Sequence, residues 1–342
     1  MNIILITGAF GFVGTNLSAW LAKRGFELWA LDVPAAQPAV PSVYARRFTW
    51  NDLAAIPWSQ VDGIVHLAGK AHDTRNTSDA QSYFEINAGL TRKVLAAWQG
   101  GKGPCAHETA TAPAPGAEIT AADSQMSRRV FILFSSVKAV ADQVEGVLTE
   151  EAEPNPQTPY GQSKREAEDV VRQHEQAGFY PYILRPCMIH GPGNKGNLNL
   201  LFQVAARGVP WPLGAYENRR SFASIDNVCA VVEGLLTANA PAGAYQVADD
   251  EALSTNMLIR MMAEEEERKP RILKVPPVVI RSLARVGDVL RLPLNSERLS
   301  KLTESYEVSN AKIKRALGWE RMPVTAREGL RATLRAMGGG ES

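Results

Sequence analysis

Apolar runs recur along the first half of the chain at "IILIT" (3–7), "ELWALD" (27–32), "GIVHLA" (63–68), "VFILFSS" (130–136) and "YPYILRP" (180–186). Each is nearly unbroken by polar positions, the pattern of a strand buried on both faces. Helical stretches lie between them, with apolar stripes around 80–99 and 160–177. Strands alternating with helices predict an α/β protein, a parallel sheet joined by crossover helices. Beyond Arg185 the rhythm shortens and Pro and Gly increase. Helices are expected near 197–207, 227–237, 254–266 and 326–336, and strands near 219–224 and at "YQVAD". The expected division is one α/β domain over 1–186 and a smaller mixed α/β lobe over 187–342 that returns some segments to the first domain.

The segment "GGKGPCAHETATAPAPGAEITAADSQMS" has no apolar period. It predicts a flexible insertion over about 100–128.

Composition narrows the function classes. The 342 residues hold 37 Lys and Arg against 36 Asp and Glu, a formal net charge of +1. No summed field favours nucleic acid or a membrane as partner, so an anionic ligand must be caught locally. The opening "MNIILITGAFGFVG" runs straight into glycines without a basic leader and reads as a buried strand. Three cysteines (Cys105, Cys187, Cys229) without metal-ligand spacing fit a reducing compartment, and the expected location is the cytoplasm. No metal site is expected.

Two motifs carry chemistry. In "LITGAFGFVGTNL", Gly8, Gly11 and Gly14 lie between a strand and a helix. Gly8 suits the tight turn, Gly11 a close approach to pyrophosphate, and Gly14 the packing of helix on strand. Asp32 ends the next strand, where a carboxylate accepts from adenosine ribose hydroxyls and repels a 2′-phosphate, favouring NAD over NADP. Arg46 and Arg47 read as surface charges. In "TPYGQSK", Tyr160 and Lys164 share one helix face. A phenol with an ordinary pKa near ~10 is a poor base at neutral pH, and Lys164 would favour its phenolate. Ser136, ending the strand "VFILFSS", would bond the substrate oxygen and share its proton with Tyr160.

Together "TGAFGFVG", Asp32, "NDL" with Asp52, "VHLAG", Asn87 in "INAGLTRKVL", "FSSVK", "YGQSK", "LRPCMIHGPG", "RRSFASIDNV" and "ALGW" resemble the extended short-chain dehydrogenases/reductases, the NAD-dependent epimerase/dehydratase branch acting on nucleotide sugars. The resemblance covers nearly the whole chain outside the insertion. It implies a Rossmann-type doubly wound sheet, NAD as cofactor, a UDP-sugar substrate, and a homodimer paired through the helices around 80–99 and 160–177.

Catalysis is carried, in this resemblance, by Tyr160, Lys164 and Ser136, with Lys164 also holding the nicotinamide ribose. It implies cofactor contacts at Gly8, Phe10, Gly11, Phe12, Val13, Gly14, Asp32, Asp52 and Leu53, then at Leu67, Ala68, Gly69, Asn87, Ser135, Tyr160, Lys164, Pro186 and Met188. Substrate contacts fall at Lys70, Ser136, Val137, Lys138, Asn197, Arg220 and Arg298, with Arg220 gripping the diphosphate. His190 stands where the family often has Tyr, either a catalytic group or a wall residue.

Val137 and Lys138 occupy the place of the dehydratases' acidic pair, which argues against dehydration. Two readings stay open: a UDP-hexose or UDP-N-acetylhexosamine 4-epimerase, and a UDP-4-keto-6-deoxy-hexosamine 4-reductase of surface-polysaccharide synthesis. "AVAD" after the catalytic serine counts for the reductase; Asp32 and tightly held NAD count for the epimerase. A non-catalytic NAD(H)-binding scaffold is the alternative of another class, and its usual mark, a broken Tyr/Lys/Ser set, is missing here.

Overall fold

The computed structural model describes residues 3–34, 43–71, 79–101, 128–174, 178–194, 197–290 and 295–338. Residues 102–127, most of the expected insertion and its Cys105, lie outside them.

The chain divides into two compact units. The first is Met1–Asp142, Glu153–Arg185 and Val232–Tyr245. Its frame is β1 (Ile3–Thr7), β2 (Glu27–Asp32), β3 (Arg46–Thr49), β4 (Gly63–His66) and β5 (Arg129–Phe134), with β7 (Phe179–Pro186) after the short β6 (Val147–Leu148) of the other unit. The sheet order is β3-β2-β1-β4-β5-β7, each neighbour pair parallel, with β10 (Gly243–Val247) added beside β7. The order reverses between β1 and β4, the switch point where ligands of doubly wound sheets bind.

Alternation along the strands supplies a core on each face. Leu5, Leu31, Ile64, Phe131 and Ile183 meet Leu95 and Trp98 of α2 (Ala80–Gly101) and Ala167 and Val171 of α3 (Pro159–Arg172). On the other face Ile4 points toward Leu236 in α5 (Ile225–Thr237), since a Cβ built on Gly63 would meet both side chains. The indole of Trp20, in α1 (Phe12–Ala22), donates to Glu233 at 2.7 Å. Burying each such large side chain contributes about 1.5–3 kcal/mol, so this doubly covered sheet is the rigid part of the unit.

The second unit is Gln143–Ala152, Pro186–Val231 and Gln246–Ser342. It holds two small parallel ladders, β6 with β11 (Glu307–Val308) and β8 (Met188–His190) with β9 (Phe222–Ser224). The first part of α5 belongs to this unit, with α4 (Asn197–Ala206), α6 (Thr255–Glu265), α7 (Pro277–Leu290), α8 (Ser296–Thr303), α9 (Ala311–Leu317) and α10 (Ala326–Gly338). Phe202, Trp211, Met262, Ile280, Leu299 and Leu330 share its core.

Several elements differ from the sequence reading. Arg46 is an exposed surface charge, as expected, and Arg47 is half-buried, but both begin an edge strand, β3, where the Arg46 guanidinium lies 4.8 Å over the Trp29 ring. Two adjacent cations hid a strand that pairs on one side only. The strand expected from 219 begins at Phe222, because Arg220 forms single bridges to Leu253 and Tyr306 instead of a ladder. The helix expected over 160–177 ends at Arg172. The helices α7, α8 and α9 carry no stripe the sequence reading recognised. Among the described residues no helix is long and apolar enough to cross a membrane.

Candidate active site

Gly8 follows β1 with φ +66, and a Cβ there would lie 2.8 Å from the Ala68 backbone nitrogen. Only glycine fits both constraints. At Gly14 a Cβ would come within 2.5 Å of the Gly8 and Ala9 carbonyl oxygens, so the helix is pressed onto the turn. Gly11 N-caps α1 and no side chain caps the helix, which leaves the first-turn N–H groups of Phe12, Val13 and Gly14 as its orphan donors. The buried Asp32 carboxylate braces this turn. Its Oδ2 accepts from the Phe10 N–H at 2.9 Å and its Oδ1 from the Val33 N–H at 2.8 Å, and each oxygen keeps a second lone pair.

Asp52 does local work. Its Oδ2 accepts from the Thr49 N–H and hydroxyl at 2.8 and 2.7 Å, a capping box whose hydrogen bonds hold the carboxyl below its usual range. The Leu53 carbonyl accepts from the Trp58 indole.

Beyond β4, the Leu67 and Ala68 N–H groups donate to the Thr7 carbonyl and hydroxyl, both at 3.1 Å. The chain then turns at Gly69, where a Cβ would sit 2.7 Å from Asn87 Oδ1 and 3.0 Å from Lys164 Nζ. The buried Asn87 ties three elements together. Its Oδ1 accepts from the Lys70 N–H at 2.8 Å and its Nδ2 donates to the Ser163 hydroxyl at 2.9 Å. The Lys70 ammonium donates to Ser82 Oγ and lies 5.0 Å from the Tyr83 ring centre, and that ring stands edge-on to Tyr160.

Tyr160 is aimed by the start of α3. Thr158 caps the helix, accepting from the Gly161 N–H, and donates its own hydroxyl to Asp142 Oδ1 at 3.1 Å. Asp142 Oδ2 accepts from the Gln157 and Thr158 N–H groups, so the Asp of "AVAD" anchors this helix start. A Cβ on Gly161 would lie 2.4 Å from the Lys138 carbonyl, and this close approach sets α3 against the turn that carries Ser136. The half-buried Tyr160 side chain lies beside that of Ser136, close enough for the serine hydroxyl to act on the phenol.

Burial pushes the Tyr160 phenol above its ordinary pKa, with the Ser136 hydroxyl opposing. This corrects the expected bias toward phenolate: desolvation wins, and the phenol is neutral at neutral pH. Lys164 is only 8% exposed and donates from Nζ to the Phe134 carbonyl at 2.9 Å. Burial pulls its pKa down to about 8, with Glu168 opposing. His66, whose Nδ1 bonds with the Thr7 hydroxyl, is pushed to about 3 by burial and by Lys164 and stays neutral.

The sequence reading missed the support beneath this set. Ser135, assigned to the cofactor, donates its hydroxyl to Glu168 Oε1 at 2.6 Å. Glu168 is fully buried and accepts from Arg185 Nε at 2.8 Å and Nη2 at 2.7 Å, and from Arg172. Burial would push its carboxyl up, but Arg185 and the other partners hold it below the usual range. The signal was present: Tyr160, Lys164 and Glu168 form one i, i+4 stripe. Of the assigned substrate contacts here, Val137 is buried and the Lys138 ammonium donates to the Asp142 carbonyl at 2.6 Å.

The remaining assigned residues belong to the second unit or its border. Pro186 is buried at the end of β7 and Met188 is exposed on β8. Asn197 opens α4, and its side chain lies outside the described residues. The half-buried Arg220 donates from Nη1 to the Lys301 carbonyl at 2.7 Å; burial lowers its pKa against the pull of Glu304 and Cys187. Arg298 is exposed on α8. His190 is 1% exposed and packed in the core. The Thr333 hydroxyl donates to the Gly329 carbonyl, so it accepts from the His190 Nδ1–H at 2.9 Å.

Residues 4–248 match the family described as NAD dependent epimerase/dehydratase. The chain belongs to that family. It is an NAD-dependent enzyme of the extended short-chain dehydrogenase/reductase type. Among curated relatives, a UDP-glucose 4-epimerase of Vibrio cholerae is 27% identical, covering 97% of this chain and 94% of its own. An N-acetyl-alpha-D-glucosaminyl-diphospho-ditrans,octacis-undecaprenol 4-epimerase of Escherichia coli O157:H7 is 28% identical, over 92% of this chain and 85% of its own. Among solved structures, the Thermus thermophilus UDP-glucose 4-epimerase complexed with NAD has a TM-score of 0.69 at 22% identity, covering 99% of each chain.

The residues present fit NAD. The turn at Gly8–Gly14 leaves no room for a Cβ at either end, the α1 N-terminus offers orphan donors to a pyrophosphate, and Asp32 keeps acceptor capacity for ribose hydroxyls. The Lys164 ammonium has three donors, one of which reaches Phe134.

Proposed function

We propose that this protein is a nucleotide-sugar 4-epimerase, acting in the cytoplasm as a homodimer on a UDP-hexose or UDP-N-acetylhexosamine of surface-polysaccharide synthesis. Residues 1–186 would hold the cofactor and 187–342 mainly the sugar nucleotide, with Arg220 as the diphosphate contact. The observation that carries this reading is the approach of the Tyr160 phenol to Ser136, where α3 meets the end of β5 beside the buried Lys164.

Bound NAD supplies the acceptor and donor of hydride at the sugar's C4. Once its own proton has passed to solvent, Tyr160 Oη takes the proton of the C4 hydroxyl and later returns it, and the Ser136 hydroxyl holds that oxygen and carries the proton between them. Lys164 stabilises the phenolate when it forms and binds ribose hydroxyls. Asp142 and Thr158 keep the start of α3 in place, so Tyr160 stays in reach of Ser136.

One observation favours the 4-keto-reductase as the second reading. A phenol kept protonated by burial holds the proton that reduction of a 4-keto sugar places on its oxygen, with the hydride coming from reduced cofactor. Incubation with UDP-glucose and UDP-N-acetylglucosamine, followed by NMR, should give the C4 epimer without net change in reduced cofactor. Consumption of reduced nicotinamide with a UDP-4-keto-6-deoxy sugar, and no epimer, would transfer the assignment to the reductase. Inertness toward all three would leave a binding scaffold.

A further inference from the structure

We propose that α7 is an interfacial helix that docks the protein on an anionic phospholipid surface. Half of the large hydrophobic side chains exposed among the described residues lie on this one helix: Val278, Val279, Leu283, Val286, Val289 and Leu290. Val289 is 81% exposed and Val278 66%. The helix meets its own unit through the narrow seam of Ile280, Ala284 and Gly287. At 3.6 residues per turn the six exposed side chains occupy an arc of about 140°, interrupted only by Ser282, on the side turned away from that seam. The helix thus has two apolar faces, and only the smaller is covered. An arc of this size is rare on a soluble surface without a function.

Charge complementarity selects the occupant. Arg285 and Arg281 border the arc, and Arg268, Lys269, Arg271 and Lys274 are exposed on the chain leading into it. The one acid from Arg268 to Leu290 is Asp288, whose carboxylate accepts from the N–H and hydroxyl of Ser296. The net charge of +1 therefore conceals a strongly basic stretch, and the sequence-based expectation of no membrane partner holds only for long-range attraction. A two-fold contact through this face would bring the arginines of both copies into one interface. The arc also has no Trp, Tyr or Phe, the side chains that anchor protein–protein contacts. Acyl chains beneath the valines and leucines, with lipid phosphates level with the arginines, satisfy both groups. At 14 residues α7 lies along the surface; it is too short to cross it.

Flotation of the full-length protein with phosphatidylcholine vesicles, with and without phosphatidylglycerol, tests this without reference to catalysis. Binding is expected to the phosphatidylglycerol vesicles and to fall at high salt. Val286→Asp with Val289→Asp should lower partitioning about tenfold or more with circular dichroism unchanged, since both side chains are at least half exposed. Arg281→Glu with Arg285→Glu should also lower it by about tenfold or more. Absence of binding to phosphatidylglycerol vesicles, or equal binding by either variant, overturns the proposal. So does an oligomer that ignores vesicles and is split by the double aspartate variant, which would make a second copy the occupant.

Discussion

Lys164 donates its buried ammonium to the Phe134 carbonyl at 2.9 Å, holding the cation one hydrogen bond from the strand end where Ser135 and Ser136 follow. The contact fixes the ammonium but does not repay its desolvation, and its pKa falls to about 8. The charge that the proposed chemistry needs is therefore poised close to neutrality. Its tuning is the source of the first prediction.

NAD affinity should be full below about pH 8 and fall above it. A Lys164 ammonium that holds ribose hydroxyls keeps its proton to higher pH in the complex than in the free protein, so the complex loses free energy as the free lysine deprotonates. Calorimetric titration across this range should show the fall, and Lys164→Met should bind weakly with no such dependence. A wild-type affinity that stays flat above pH 8 removes the ammonium from cofactor binding.

Tyr160→Phe should lower turnover by roughly 10²–10⁴-fold while changing NAD affinity little, because it deletes one hydroxyl and keeps the ring packed on Tyr83. Steady-state rates and a cofactor titration check both halves. Turnover at the wild-type rate would show that another group moves the proton.

Gly69→Ala should cost about 1–3 kcal/mol of stability and reduce turnover as well, since the new methyl meets Asn87 Oδ1 and Lys164 Nζ within 3.0 Å. Thermal melts and kcat measure the two effects together. An unchanged melt with unchanged kcat would mean that this loop shifts freely.

Glu168→Gln should destabilise by about 3–5 kcal/mol, because the Arg185 guanidinium would stay buried without its carboxylate. Urea unfolding reads the loss, and Glu168→Leu with Arg185→Met should recover most of it. The folded-state carboxyl is depressed, so its contribution is present above its ordinary range and lost as pH falls through the lower folded value. Wild-type stability that does not decline in acid would contradict the assigned pair.

Sequence spacing was most informative where chemistry is local. Gly8, Gly11 and Gly14 share one turn, Tyr160 and Lys164 one helix face, and long apolar runs announce doubly covered strands. It was least informative where partners are distant. Glu168 and Arg185 lie on a helix and a strand, and nothing in either segment names the other. Asp52 reads as a cofactor contact from its motif, and only the fold shows that its Oδ2 also closes a capping box. In α7 two apolar faces on one helix left no single stripe to read.

Local pattern alone determined the parallel α/β layering, the glycine turn and the Tyr–Lys pair, since hydrophobic period and helix geometry are properties of neighbours along the chain. Packing decided the rest: which serine meets Tyr160 and which meets Glu168, and that Tyr160 is neutral while Lys164 falls to about 8. Adjacent residues at a strand end part to opposite sides, and desolvation exists only once the chain has closed around a group.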